Sequence, residues 1–109
     1  MGHTNVRGLH KNLPQVKLLL YCLDVLAVSE THLSPTVESY EIAIQGYQIQ
    51  RRDRFGKTGG GVAVYFKDSL DCISIAKYDH CDVEATWLEV KVKSQRLLVG
   101  NIYRVKNFL

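Results

Sequence analysis

The chain has 109 residues, of which 46% are hydrophobic and 23% charged, and a formal net charge of +3. This length allows a single domain with a modest core, and the composition excludes a disordered or low-complexity chain. The mild positive charge permits a polyanionic partner without requiring one, because a nucleic-acid footprint needs basic residues gathered on one face.

Cys22, Cys72 and Cys81 are an odd number without paired spacing. That argues against a disulfide framework or a zinc knuckle and for a reducing compartment. The apolar run over residues 16–28 is interrupted by Lys17 and Asp24. It is too short to cross a bilayer, and it does not sit at the N-terminus behind a basic region. An intracellular, soluble, non-secreted chain is expected, nuclear or cytoplasmic.

Residues 1–6 read as a first strand. Leu13, Val16, Leu20 and Leu23 then recur at helical spacing with Leu19 beside them, which predicts an amphipathic helix over residues 13–23. Asn12 is placed as its N-cap, Pro14 fits the first turn, and Gln15 stands where a capping box needs it. Cys22 falls in the apolar stripe and reads as a small buried hydrophobe. Residues 24–29, DVLAVS, predict a short strand buried on both faces. Glu30, Thr31 and His32 follow at its end, where folds of this kind present polar side chains. Taken alone, Glu30 reads as a capping or solvated carboxylate, and His32, although it resembles a general base, as a solvent-facing residue.

The stretch FGKTGGGVAVYF at 55–66 looks at first like a phosphate-binding loop. Such a loop needs a glycine five residues before its Gly-Lys-Thr and a helix after it. Arg51 occupies the first position, and a β-branched and aromatic run follows. The better reading is a hairpin, with residues 47–51 and 61–66 as antiparallel strands and Gly59, Gly60 and Gly61 supplying a turn, a bulge or a close backbone approach. The basic residues Arg51, Arg52, Arg54 and Lys57 either flank a solvated hairpin or contact DNA phosphates, which position a duplex without reading its sequence.

Leu88, Val90 and Val92 alternate with Glu89, Lys91 and Lys93, the pattern of a half-buried strand, with Trp87 in the core at its start. Residues 97–104 return, and Leu97, Leu98, Val99 and Ile102 suggest burial on two faces. One early helix followed by strands indicates an α+β or sandwich-like layered fold. Nothing in the pattern closes that fold, so the chain reads as part of a larger unit.

Three separated segments, NVRGL at 5–9, AVSETHL at 27–33 and VGNIYR at 99–104, stand in order with GYQIQRRDR at 46–54 and GGGVAVYFKD at 59–68 between them. Together they resemble the endonuclease/exonuclease/phosphatase superfamily, most closely the endonuclease domain of LINE-type (non-LTR) retrotransposons. The resemblance covers nearly the whole chain but only the N-terminal half of the family domain. It implies a partial four-layered α/β sandwich of the DNase I-like type, mostly antiparallel, with residues 1–109 as the N-terminal part of one domain.

The resemblance also implies a Mg²⁺- or Mn²⁺-dependent hydrolase that nicks DNA. Glu30 matches the metal-binding glutamate, Asn5 the asparagine that helps order the metal and the phosphate, and Tyr103 the tyrosine that contacts the phosphate. Arg52 and Asp53 match a largely structural segment, with nucleic-acid contact by Arg52, Arg54 and Lys57. The family's Gly-Asp-x-Asn, a further aspartate and Ser-Asp-His do not occur here. YDHCD at 78–82 precedes Tyr103 and is not that last motif, so His80 is not read as catalytic. Two readings stay open: a fragment of a nicking endonuclease that is inactive without the missing C-terminal half, or a non-catalytic remnant that binds nucleic acid weakly. An open inner sheet face and exposed edges are expected, and with them a molten or aggregation-prone chain.

Overall fold

Five consecutive buried residues, Val25–Ser29, form strand β2, around which the rest is built. A computed structural model describes residues 1–54, 59–75 and 84–103, without the side chains of Glu84, Val92 and Tyr103. In chain order the elements are β1 (Gly2–Asn5), α1 (Leu13–Leu20), β2, a 3-10 turn (Ser39–Ile42), β3 (Tyr47–Arg52), β4 (Val62–Lys67), β5 (Asp71–Ser74), β6 (Glu84–Val92) and β7 (Gln95–Tyr103).

The strands form two sheets, one in the order β1-β2-β4-β3 and the other in the order β5-β6-β7. Among the described residues only β1 and β2 pair in parallel, and the remaining ladders are antiparallel. The hairpin read from the sequence over residues 47–51 and 61–66 is present as β3 and β4, with bounds that differ by about one residue.

The alternation of side chains along β2 divides the core in two. Leu26 and Val28 face one way, into a cluster with Val16 and Leu20 of α1, Leu9, Ile42 and Tyr65. Val25 and Ala27 face the other way, where with Val64 and Phe66 they meet Leu88, Val90 and Val99 of the second sheet. Each fully buried Leu, Val or Phe contributes on the order of 1.5–3 kcal/mol. Among the described residues the layers are therefore helix and connections, four-stranded sheet, and three-stranded sheet. The expected open inner face is corrected: the two inner faces cover each other.

Other expectations also change. The helix ends at Leu20, because Tyr21 and Leu23 donate their amides to Leu18 and Leu20 in tight turns that lead into β2. With barely two turns, only Val16 and Leu20 of the helix are buried, while Leu18 and Leu19 are exposed. Cys22 lies past the helix end and is exposed instead of buried. Asn12 precedes the helix but makes no capping hydrogen bond with its side chain. Leu97, Leu98 and Ile102 are exposed, not buried on two sides. The alternation of β7 sends Val99 and Asn101 inward, and Leu98 and Ile102 stand on the face turned away from the first sheet. Trp87 is half-buried on that outer face, its ring lying against Gly100 of the neighbouring strand. Among the described residues no helix is long and apolar enough to cross a membrane.

Candidate functional site at one end of the sandwich

Register brings the ends of four strands together. Asn5 pairs with Ser29 across β1 and β2, Ser29 with Val62 across β2 and β4, and Arg52 with Val62 across β3 and β4. In the second sheet Glu84 pairs with Tyr103. The direction of one sheet on the other follows from two contacts: Gln50 Nε2 donates to Trp87 O (3.4 Å) and Arg52 Nη1 to Ala85 O (3.4 Å). β3 and β6 therefore run oppositely, and β7, antiparallel to β6, runs in the same sense as β2. Asn101 Nδ2 donates to Val28 O (3.0 Å) and Ala63 O (2.9 Å). Two residues further along both strands stand Tyr103 and Glu30. The backbone positions of Asn5, Glu30 and Tyr103 thus lie at the same end of the sandwich.

Glu30 sits on a firmly held piece of chain. The carbonyls of Ser29, Glu30 and Thr31 accept from the amides of Val6, Gly8 and Leu9, and the amides of Thr31 and His32 donate to Gly61 and Gly60. This double tether imposes a left-handed backbone on Glu30 (φ 56°) and His32 (φ 55°), and on Arg7 (φ 50°) opposite. Side chains larger than glycine rarely adopt that conformation, and clusters of such residues mark places where surrounding structure dictates side-chain direction. Glu30 emerges half-buried between buried Ser29 and Thr31, with His32 exposed. Asn12, read from the sequence as a cap, instead donates its Nδ2 to Val6 O (2.9 Å) and Gly8 O (3.0 Å), closing the loop beside Glu30.

The glycine triplet belongs to the same site. Gly60 and Gly61 have φ of 66° and 89°. A Cβ on Gly60 would overlap the guanidinium of Arg54, and one on Gly61 would overlap Thr31 Oγ1. The glycines let the Arg54 side chain and the β2 extension lie directly on the backbone. They form neither a nucleotide loop nor a plain solvent turn.

Beside this end is a cleft of about 410 Å³ lined by Gly8, His10, Lys11, Thr31 and His32. Its lining carries cationic or proton-accepting side chains and no carboxylate, so it suits an anion. His10 and Lys11 were passed over in the sequence, where they look like ordinary loop residues; only the pairing of 6–9 with 29–31 brings them to Glu30.

Of the basic residues, Arg51 pairs with Asp53 at 2.6 Å and also donates to Val37 O and Ser34 O, which is a structural role. Arg52 reaches across to β6, and Arg54 covers Gly60. Lys57, the 78–82 segment with His80, and the Tyr103 side chain lie outside the described residues. Among the described residues no three His, Cys, Asp or Glu side chains converge. Glu30 and Asn5 carry oxygen donors at this end. That fits a hard cation of the Mg²⁺ kind, which is commonly held by one or two carboxylates with water and phosphate oxygens completing its shell.

No family model matches the chain, and no curated protein matches it. Among solved structures it is similar to the endonuclease domain of TRAS1, a telomere-specific non-LTR retrotransposon, with a TM-score of 0.67 at 10% sequence identity. The match covers 96% of this chain and 45% of that one, so the chain spans less than half the length of that neighbour. At such identity the likeness is one of fold. The resemblance read from the ordered motifs thus extends to the tertiary structure, and this chain has the fold of part of a non-LTR retrotransposon endonuclease domain.

Proposed function

We propose that residues 1–109 form the N-terminal part of a metal-dependent endonuclease domain of retrotransposon type, whose substrate is the phosphodiester backbone of DNA. The observation that carries this reading is that the backbone positions of Asn5, Glu30 and Tyr103 lie at one sandwich end, beside a cleft whose lining includes His10, Lys11 and His32. Support comes also from the fold shared with a retrotransposon endonuclease domain. In this reading the complete domain is a four-layered sandwich.

Glu30 and Asn5 would hold Mg²⁺ or Mn²⁺. When bound, such an ion supplies Lewis-acid polarisation of a phosphoryl oxygen. The chain's own residues do the rest of the positioning. The tethered backbone keeps Glu30 at the β2 end, and the cleft draws in neighbouring phosphates through His10, Lys11 and His32, with Arg54 as a further contact. In this reading the Tyr103 phenol would donate to the phosphate and oppose its developing charge. With Glu30 as the proposed metal-binding carboxylate among the described residues, activity of residues 1–109 alone is expected to be low, and other parts of a full domain would supply further acid and base groups.

The test is Mn²⁺ titration followed by NMR. Selective broadening of the Asn5, Glu30 and Thr31 amide signals is expected, and its loss in Glu30→Ala. Unselective broadening, or an unchanged response in Glu30→Ala, overturns the reading. The absence of a three-group acid cluster among the described residues favours a second reading, a non-catalytic remnant with weak nucleic-acid binding. That reading predicts DNA binding that persists in Glu30→Ala, with plasmid nicking in Mg²⁺ identical for the two proteins.

A further inference from the structure

Asn101 is 3% exposed and sits at the site end of the apolar core between the sheets. Its Nδ2 donates to two carbonyls on adjacent strands of the opposite sheet, Val28 O on β2 (3.0 Å) and Ala63 O on β4 (2.9 Å). A buried amide is costly without partners, and this one meets two carbonyls at good length. The bonds bridge 73 and 38 residues of sequence, so they hold parts of the chain that nothing local brings together.

The position of this tie matters more than its strength. Two residues beyond Val28 is Glu30, two residues before Ala63 is Gly61, and two residues beyond Asn101 is Tyr103. The apolar contacts of Val25, Ala27, Leu88 and Val99 resist separation of the sheets, but dispersion and burial are not directional and allow sliding. A carboxamide aimed at two carbonyls fixes a register. On the other flank, Gln50 donates to Ser74 Oγ and Trp87 O, and Arg52 to Ala85 O, tying β3 to β5 and β6; among the described residues Asn101 makes the tie at the β2/β7 flank, beside Glu30.

We propose that Asn101 is a positioning residue, which sets the register of β7 on β2 and so holds the Tyr103 backbone at the Glu30 end of the sandwich. The inference rests on the proposed metal site. It is separable from it, because Asn5 on β1 and Glu30 at the end of β2 would bind a cation whether or not β7 is in place.

The experiment uses Mn²⁺ as the paramagnetic probe on the full chain. In the native chain the amide signals of Glu30, Thr31 and Tyr103 all broaden. In Asn101→Leu, which keeps the volume and removes the donor, broadening of Glu30 and Thr31 persists while that of Tyr103 is lost. Leu88→Ala, which weakens the same inter-sheet core without touching the tie, lowers thermal stability but leaves the Tyr103 broadening. Should Asn101→Leu not fold, Asn101→Ser, which retains one donor, is read in its place. Unchanged Tyr103 broadening in a folded Asn101 variant overturns the proposal, as does loss of folding in both variants, which would make Asn101 a stabiliser only. Absence of selective broadening in the native chain overturns the metal site itself.

Discussion

The Arg51 guanidinium and the Asp53 carboxylate meet at 2.6 Å just where β3 ends, with their side chains 15% and 12% exposed. Arg51 also donates to Val37 O at 2.7 Å and Ser34 O at 3.0 Å. One side chain thereby closes the irregular connection between β2 and β3. Arg51→Met strands a largely buried carboxylate and two carbonyls, and is expected to cost about 3 kcal/mol. Urea unfolding checks this; a loss below the level of a surface ion pair would show the connection to be held by other contacts.

Gly61 and Gly46 test whether the triplet is a site feature or a simple turn. Both have left-handed backbones, φ 89° and 87°, but a Cβ on Gly46 meets nothing within 4 Å. Gly46→Ala is expected to cost about 1 kcal/mol, the backbone term alone. Gly61→Ala adds the collision with Thr31 and is expected to cost about 2 kcal/mol or more. Equal losses in the two variants would refute the packing of Thr31 on Gly61.

Trp87 is the chain's single tryptophan, and its ring lies where a side chain on Gly100 would be. Gly100→Val therefore lifts the indole off β7. The expected readout is a red shift of tryptophan emission toward that of a solvated indole, with the ladder of β6 on β7 retained in far-UV circular dichroism. An unshifted spectrum would place the ring elsewhere.

Tyr65 is fully buried and donates its hydroxyl to Ile42 O at 2.6 Å. Burial raises its pKa well above the ordinary tyrosine value of about 10. Because the folded state holds the proton more tightly than the unfolded one, stability is unaffected below about pH 10 and falls as the pH rises above it. Tyr65→Phe is expected to cost about 1 kcal/mol at neutral pH through the orphaned carbonyl, and to remove this alkaline component. An alkaline transition identical in both proteins would assign it to other groups.

Local pattern made some of this molecule legible. Val25–Ser29 is apolar enough to require burial on both faces, and the strand-like residues 47–51 and 61–66 with glycines between them permit little except the hairpin that forms. The helix was readable as a helix, but its length was not. Leu23 and Cys22 continue the helical period, yet the chain must turn at Tyr21 to enter β2, and a turn imposed by a distant strand leaves no mark on local spacing. The exposure of Leu98 and Ile102 was equally hidden, since whether a face of β7 is covered depends on what packs there and not on the strand itself.

The sequence by itself marked Asn5, Glu30 and Tyr103 as the residues proposed for the chemistry, because motif order and residue type are properties of the chain. What only the tertiary structure decided is that Asn5, Glu30 and Tyr103 end at one edge of the sandwich, that His10 and Lys11 join them, and that Asn101 ties the sheets together there. Those relations are fixed by strand register and by the packing of one sheet on another. Such contacts join residues as many as 73 positions apart, and their energy appears only when both partners are already in place.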